Sequence, residues 1–155
     1  MMSNIFLTKS AVMLFLFRVE DEVLEILLQK RKNTGYMDGM WDCAVAGHVE
    51  AGESMKMAVQ REAKEEIGID IELEDIHFAT MAHKFTAETG EVYYNGYFHA
   101  DIRDQVPTIM EPEKCEALQW FNYMDLPKDF ITDRQEALYN LDHNIAYDEI
   151  GWTPV

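Results

Sequence analysis

One stretch, Gly47 to Ile69 (GHVEAGESMKMAVQREAKEEIGI), limits what this chain can become more than any other. It leaves room for one helix, from about Ser54 to Ile67, and Gly68 stands where a C-cap glycine ends a helix. At the helical period Glu62, Glu65 and Glu66 lie at i, i+3 and i+4 and project from one face. Val59, Ala63 and Ile67 recur at i, i+4 and i+8 as an apolar seam beside them. One edge of such a helix packs on a sheet while the neighbouring edge presents carboxylates to a cleft. Ala58 falls inside the acidic arc, where a small side chain leaves space for ions.

Three carboxylates within one turn repel one another, and only Arg61 and, more weakly, Lys64 offset them locally. Such crowding should raise at least one carboxyl pKa until a cation arrives. Hard cations such as Mg²⁺ take oxygen ligands and are shared between a few carboxylates and substrate phosphates. A Glu- and Lys-rich helix is also the ordinary form of a solvated face. The longer pattern decides between the two: chance at background usage gives it on the order of 10⁻⁹ to 10⁻⁸ per start position.

The spacing of Gly47, Glu53, Arg61, Glu62, Ala63, Glu65, Glu66, Gly68 and Ile69 matches the Nudix box, and the chain resembles a Nudix hydrolase. Ala63 is smaller than the usual residue there, a departure that touches packing and not ligation. The resemblance implies an α/β/α sandwich with a central mixed sheet, formed by a single domain over residues 1–155. It implies a MutT-like nucleotide pyrophosphohydrolase, in which water attacks phosphorus and the diphosphate linkage of a nucleoside derivative breaks. By position, Glu62, Glu65 and Glu66 become ligands of Mg²⁺ or Mn²⁺, with Glu62 and Glu66 foremost. The Ala46 carbonyl, just before the box glycine, joins them. Glu53 pairs with Arg61 to brace the site, or is simply a helix-start charge favoured by the dipole. The general base lies outside the box in a loop before the last strand; Glu111, Glu113 and Glu116 are the acids available, and Glu113 is the choice.

Substrate markers known from subfamilies are missing. Near Lys84 to Glu88 there is neither the proline of ADP-ribose hydrolases nor the tyrosine of dinucleoside polyphosphate hydrolases, and no SQPWPFPxS run of NADH hydrolases occurs. Their absence tilts the expectation towards a small nucleotide such as a nucleoside triphosphate. Two rivals remain: a non-catalytic nucleotide-binding or sensor module, although no box carboxylate is lost, and a diphosphate isomerase. The segment WDCAVAGHV echoes the isomerase pattern but has Ala46 where its cysteine belongs, with Cys43 three residues early.

Around the box, Ser10 to Val19 reads as a strand buried on both faces. Glu20 to Glu22 is a tight turn, and Val23 to Arg31 is the antiparallel partner. Arg31 and Lys32 are either surface charges or groups facing the substrate. Asn33 to Met40 is a glycine-punctuated loop of the kind that carries binding residues. Trp41 to Ala46 is a short strand delivering Gly47. His77 to Phe85 and Glu91 to Ile102 are two more strands, and Asn95 with Gly96 marks a bulge in the second. Asp104 to Lys114 is a loop, and Cys115 to Tyr123 a last strand. Thr132 to Ala146 holds a helix with Thr132 or Asp133 as N-cap and Ala137, Leu138, Leu141 and Ile145 as its stripe. Asp148 to Val155 is a loosely packed tail. Arg31, Tyr36, His48 and Phe85 are the candidate substrate contacts; the scattered His77, His83 and His99 are structural.

A net charge of −16 argues against a nucleic-acid polymer as partner, since phosphate backbones are held by basic patches. It leaves a small nucleotide open, because bound cations supply local positive charge. Cys43 and Cys115 sit at no metal-ligand spacing and read as reduced thiols. The apolar run Ala11 to Phe17 lacks the flanks of a signal peptide, and no stretch reaches the roughly 18 residues of a membrane span. The expectation is a cytoplasmic protein without a membrane partner, homodimeric if it follows related domains.

Overall fold

The computed structural model describes residues 4–153 of the chain. Its first strand, β1 (Lys9–Glu20), is the axis of the molecule. Val12, Leu14 and Leu16 point to one face of the sheet and Met13 and Phe15 to the other, all fully or almost fully buried. Burial on both faces explains why the sequence runs apolar without alternation. Each of the larger side chains contributes about 1.5–3 kcal/mol by leaving water. Strand β2 (Val23–Arg31) returns antiparallel through a two-residue turn in which Asp21 and Glu22 both take left-handed φ, 49° and 66°. That geometry matches the twist of the flanking strands.

The expected strand over Trp41 to Ala46 is two strands. β3 (Trp41–Cys43) pairs with β2, and β4 (Val45–His48) crosses over to pair with β1, so the chain changes partner at Ala44. Helix α1 (Met55–Ile67) follows, capped by Ser54 and ended by Gly68 at φ 70°, as expected. A short 3₁₀ turn over Leu73–Asp75 leads to β5 (His77–Thr86) and β6 (Glu91–Ala100). β6 lies parallel to β1 and antiparallel to β5. Asn95 and Gly96 sit in regular register; the irregularity falls between Phe78 and Thr80 of β5 instead. Gly96 answers to packing, because a Cβ there would meet the Met55 sulfur at 2.6 Å.

Strand β7 (Cys115–Asn122) pairs with β2. Helix α2 (Thr132–Asp142) covers the second face with Ala137 and Leu138, while α1 covers the first with Val59, Ala63 and Ile67. Helices on both sides of a mixed sheet give the α/β/α sandwich. The N-cap of α2 is Ile131 without a side-chain bond, not Thr132 or Asp133: Phe130 and Ile131 are held in the core, and Asp133 is engaged by Lys84. Ile145 lies beyond the helix, and its carbonyl accepts from the Thr80 hydroxyl at 2.8 Å.

The tail is ordered rather than loose. β8 (Tyr147–Ile150) adds parallel to β5, and Trp152 donates its indole N–H to the His83 carbonyl at 2.9 Å while stacking on Phe85. Pro154 and Val155 lie outside the described residues. No helix among the described residues is long and apolar enough to cross a membrane.

Candidate active site

The frame of α1 is set at its ends. The Met57 amide donates to the Ser54 hydroxyl at 3.2 Å, and the left-handed Gly68 lets its N–H return to the last turn. Between these ends Ala58, Val59, Ala63 and Ile67 are buried. Ala58 therefore does not open space for ions in the acidic arc; it is fully enclosed in the core on the α1 side. Glu62 and Glu66 emerge at the edge of that core, and Glu65 is the exposed member.

Arg61 organises the carboxylates. Its guanidinium donates to Glu53 at 2.6 and 3.1 Å, to Glu62 at 2.7 Å, to Glu65 at 3.2 Å and to the His48 carbonyl at 3.0 Å. The bond to Arg61 holds the Glu53 carboxyl below its ordinary range. Glu53 thus braces Arg61, and Arg61 orients Glu62. Glu66 is placed from the other side: the Ala46 amide donates to its Oε2 at 3.0 Å. Burial, then the charge of Glu62, pushes the Glu66 carboxyl well above the usual carboxylate range. Burial raises Glu62 as well, against the opposing pull of Arg61. The crowding expected from the spacing is present in the fold.

Gly47 completes this side. A Cβ at Gly47 would stand 2.4 Å from the Glu62 carboxyl carbon, so the glycine is what lets that carboxylate lie against β4. The loop before β7 docks on the end of α1: the Thr108 amide donates to the Ile67 carbonyl at 3.0 Å, and the Met110 amide to the Glu66 carbonyl at 3.1 Å. This brings Glu111 close enough for its charge to raise both Glu62 and Glu66. Glu113, on the same loop, is exposed, and its carbonyl accepts from the Asn33 amide at 3.3 Å.

Among the described residues, no group of three or more His, Cys, Asp or Glu side chains converges as a metal site. The acidic groups are instead turned onto Arg61 and the Ala46 amide. Their chemistry nonetheless suits a hard divalent cation: carboxylate oxygens, two of them on half-buried side chains whose charge is disfavoured until a cation offsets it.

On the opposite side of β4 lies a cavity of about 430 Å³, walled in part by Ala46, Gly47 and His48. Arg31 and Tyr36 line it, as expected of substrate contacts. His48 does too, its Nε2 3.0 Å from the Tyr93 hydroxyl. Phe85 does not line it; alternation along β5 turns Lys84 and Thr86 inward and Phe85 onto Trp152. The cavity also contains two cations not expected from the sequence, Lys84 and Arg134. Arg31 and Arg134 both donate to the fully buried Asp42 at 2.8 Å, and Lys84 pairs with Asp133. Arg134 lies in a helix whose pattern carries no site signal, and Lys84 is betrayed only by strand alternation. A second, larger groove of about 880 Å³, between Trp120, His77 and Arg103, contains no residue of the box.

Known proteins share this fold. The family model described as NUDIX domain matches residues 7–141. The solved MutT NUDIX hydrolase from Burkholderia pseudomallei is similar, at 29% identity and a TM-score of 0.74, over 86% of this chain and 98% of that one. The NUDIX domain of NrtR from Shewanella oneidensis, solved with ADP ribose, shares the fold at 17% identity and a TM-score of 0.72, over 92% and 91% of the two chains. Among curated proteins, the NAD-capped RNA hydrolase NudC of Stutzerimonas stutzeri is 31% identical over 83 residues, which are 54% of this chain. The matched part spans only 28% of that protein's length.

Proposed function

This chain belongs to the NUDIX domain family, and from that premise we propose that it is a hydrolase of diphosphate bonds, cleaving the diphosphate linkage of a nucleotide derivative. The observation that carries the reading is the double role of β4. Its Ala46 amide orients Glu66 and its Gly47 accommodates Glu62, while the same residues wall a nucleoside-sized cavity. A nucleotide seated there carries its diphosphate past Gly47 to the carboxylates.

Glu62, Glu65, Glu66 and the Ala46 carbonyl are the groups that would hold Mg²⁺ or Mn²⁺. Such a cation supplies charge neutralisation of the diphosphate and a lowered pKa for a bound water. The chain's own residues do the rest. Arg61, pinned by Glu53, fixes the Glu62 carboxyl, and the Ala46 N–H fixes Glu66. The water oxygen bonds to phosphorus, the bridging P–O bond breaks, and the water's proton passes to a carboxylate. Glu111 takes that part in preference to Glu113, because its charge reaches Glu62 and Glu66 from a loop anchored on α1. Glu111→Gln should lower kcat about 10²-fold or more, and Glu113→Gln should leave it nearly unchanged; the reverse order restores Glu113 as the base.

The deciding experiment is chromatographic detection of nucleotide product release from a panel of nucleoside triphosphates, ADP-ribose, NADH and dinucleoside polyphosphates, with Mg²⁺ and then with EDTA. Release that EDTA and Glu66→Gln both abolish establishes the hydrolase. Nucleotide binding without release from any member overturns it in favour of a sensor module.

A further inference from the structure

Asn95 is the least explained residue of the cavity. It lies in the middle of β6, it is only 6% exposed, and it lines the space. Neighbouring polar groups are committed: Arg31 and Arg134 to Asp42, Lys84 to Asp133, His48 to Tyr93. The Asn95 amide pairs with no group among the described residues. Among the described residues, no enclosed side-chain N or O atom lacks a partner. The Asn95 amide therefore opens onto the cavity, where a ligand can meet it.

Its position relative to the carboxylates is set by strand register. Ala11 of β1 pairs with His48 on one side and Asn95 on the other, so Asn95 lies two strand spacings, about 10 Å, across the sheet from the box. A ribose and its 5′ linkage span that interval. The rings of Tyr36 and Tyr93 border the same space. What reaches Asn95 from a diphosphate held over Gly47 is the nucleobase.

We propose that Asn95, opening unpaired onto the cavity two strands from Gly47, reads the base of the substrate, and that the base presents a hydrogen-bond donor beside an acceptor. A carboxamide offers one acceptor oxygen and one donor nitrogen in a plane. Adenine matches it with its 6-amino group and N7, the pairing by which asparagine recognises adenine elsewhere. Guanine matches it with N1–H and O6. Purine itself, without an exocyclic group, offers no such pair. The inference rests on the nucleotide reading above but is tested by binding, so turnover is not needed to judge it.

Binding of ADP, GDP and purine riboside 5′-diphosphate is measured by calorimetry on the wild type, Asn95→Leu and Asn95→Asp, with melting curves to show that the variants fold. The wild type should bind ADP or GDP about tenfold or more tighter than the purine riboside analogue. Asn95→Leu should close that gap by weakening the tighter ligand. Asn95→Asp, which keeps the shape and replaces the donor with an acceptor, should weaken ADP and hold or tighten GDP, whose N1–H and 2-amino group both donate. Absence of a gap in the wild type, or a gap that survives both variants, overturns the proposal. Failure of nucleotide product release with the gap intact overturns the hydrolase and leaves the base reader standing.

Discussion

Gly47→Ala tests the site at its tightest point. The backbone at Gly47 is outside the left-handed region, so alanine adds no conformational strain. It adds an atom 2.4 Å from the Glu62 carboxyl carbon, 2.5 Å from its Oε1 and 2.8 Å from its Cγ. Comfortable contact is at roughly 3.5 Å, so the carboxyl must retreat by about 1 Å. Because it is the end of a flexible side chain, the stability cost should sit near the low end of overpacking, about 1 kcal/mol. The functional cost is larger: the displaced carboxyl loses its 2.7 Å bond to Arg61, and a misplacement of about 1 Å can cost 10²-fold in rate. Steady-state kinetics with Mg²⁺ should show kcat down about 10²-fold while the melting temperature falls by a few degrees. Adding Glu62→Ala, which removes the carboxyl and the Cγ that the new methyl meets, should relieve the clash and restore the lost stability. Full kcat in Gly47→Ala would show that Glu62 need not lie against β4 for turnover, and would refute the assembly described here.

Asp42→Asn removes the negative charge shared by Arg31 and Arg134 and leaves a buried guanidinium without its counter-charge; denaturant titration should show a loss of about 3–5 kcal/mol, and a loss under about 1 kcal/mol would refute the network's structural role. His99 is held below the ordinary histidine value, first by burial and then by the facing His77. The unfolded chain therefore binds that proton first, so the contribution of His99 is complete above about pH 6.5 and is lost as pH falls through its depressed value. His99→Gln should flatten the stability–pH slope in that window, and an unchanged slope contradicts the assignment. Gly151→Ala places a Cβ 2.0 Å from the Phe85 carbonyl oxygen at a φ of 80°. The expected result is release of the Trp152 anchor, read as a red shift of tryptophan emission that Trp152→Phe abolishes; an unshifted spectrum would mean the tail does not depend on that turn.

What could be read from the chain was local. The seam of Val59, Ala63 and Ile67 and the terminal Gly68 fix α1 within one stretch, and the continuous apolar run of β1 announces burial on both faces. Glu53, just ahead of the helix, is near enough in sequence to meet Arg61, and the fold joins them. The illegible parts depend on partners far along the chain. β8 is a strand only because β5 offers it a parallel edge, and its own residues show no apolar alternation strong enough to predict it. Arg134 reaches the cavity because Asp42 draws it there from α2. Asn95 resembled a strand defect in sequence because a polar residue beside glycine is the usual mark of one; only the pairing of β6 with β1 shows it in register. Ile131 caps α2 because the core holds Phe130 and Ile131, which outweighs the local preference of Thr132 for that position.

The docking of the loop onto α1 bears on how the enzyme can change over generations. Both anchoring bonds come from backbone amides, those of Thr108 and Met110, so they specify almost nothing about the side chains in between. The prolines of the segment, Pro107 and Pro112, stand beside those amides and not at them. Any residue with an N–H can occupy positions 108 and 110 without loosening the loop. Its neighbours are then free to drift, and the loop can acquire new side-chain contacts while Glu111, which follows, keeps its place near Glu62 and Glu66.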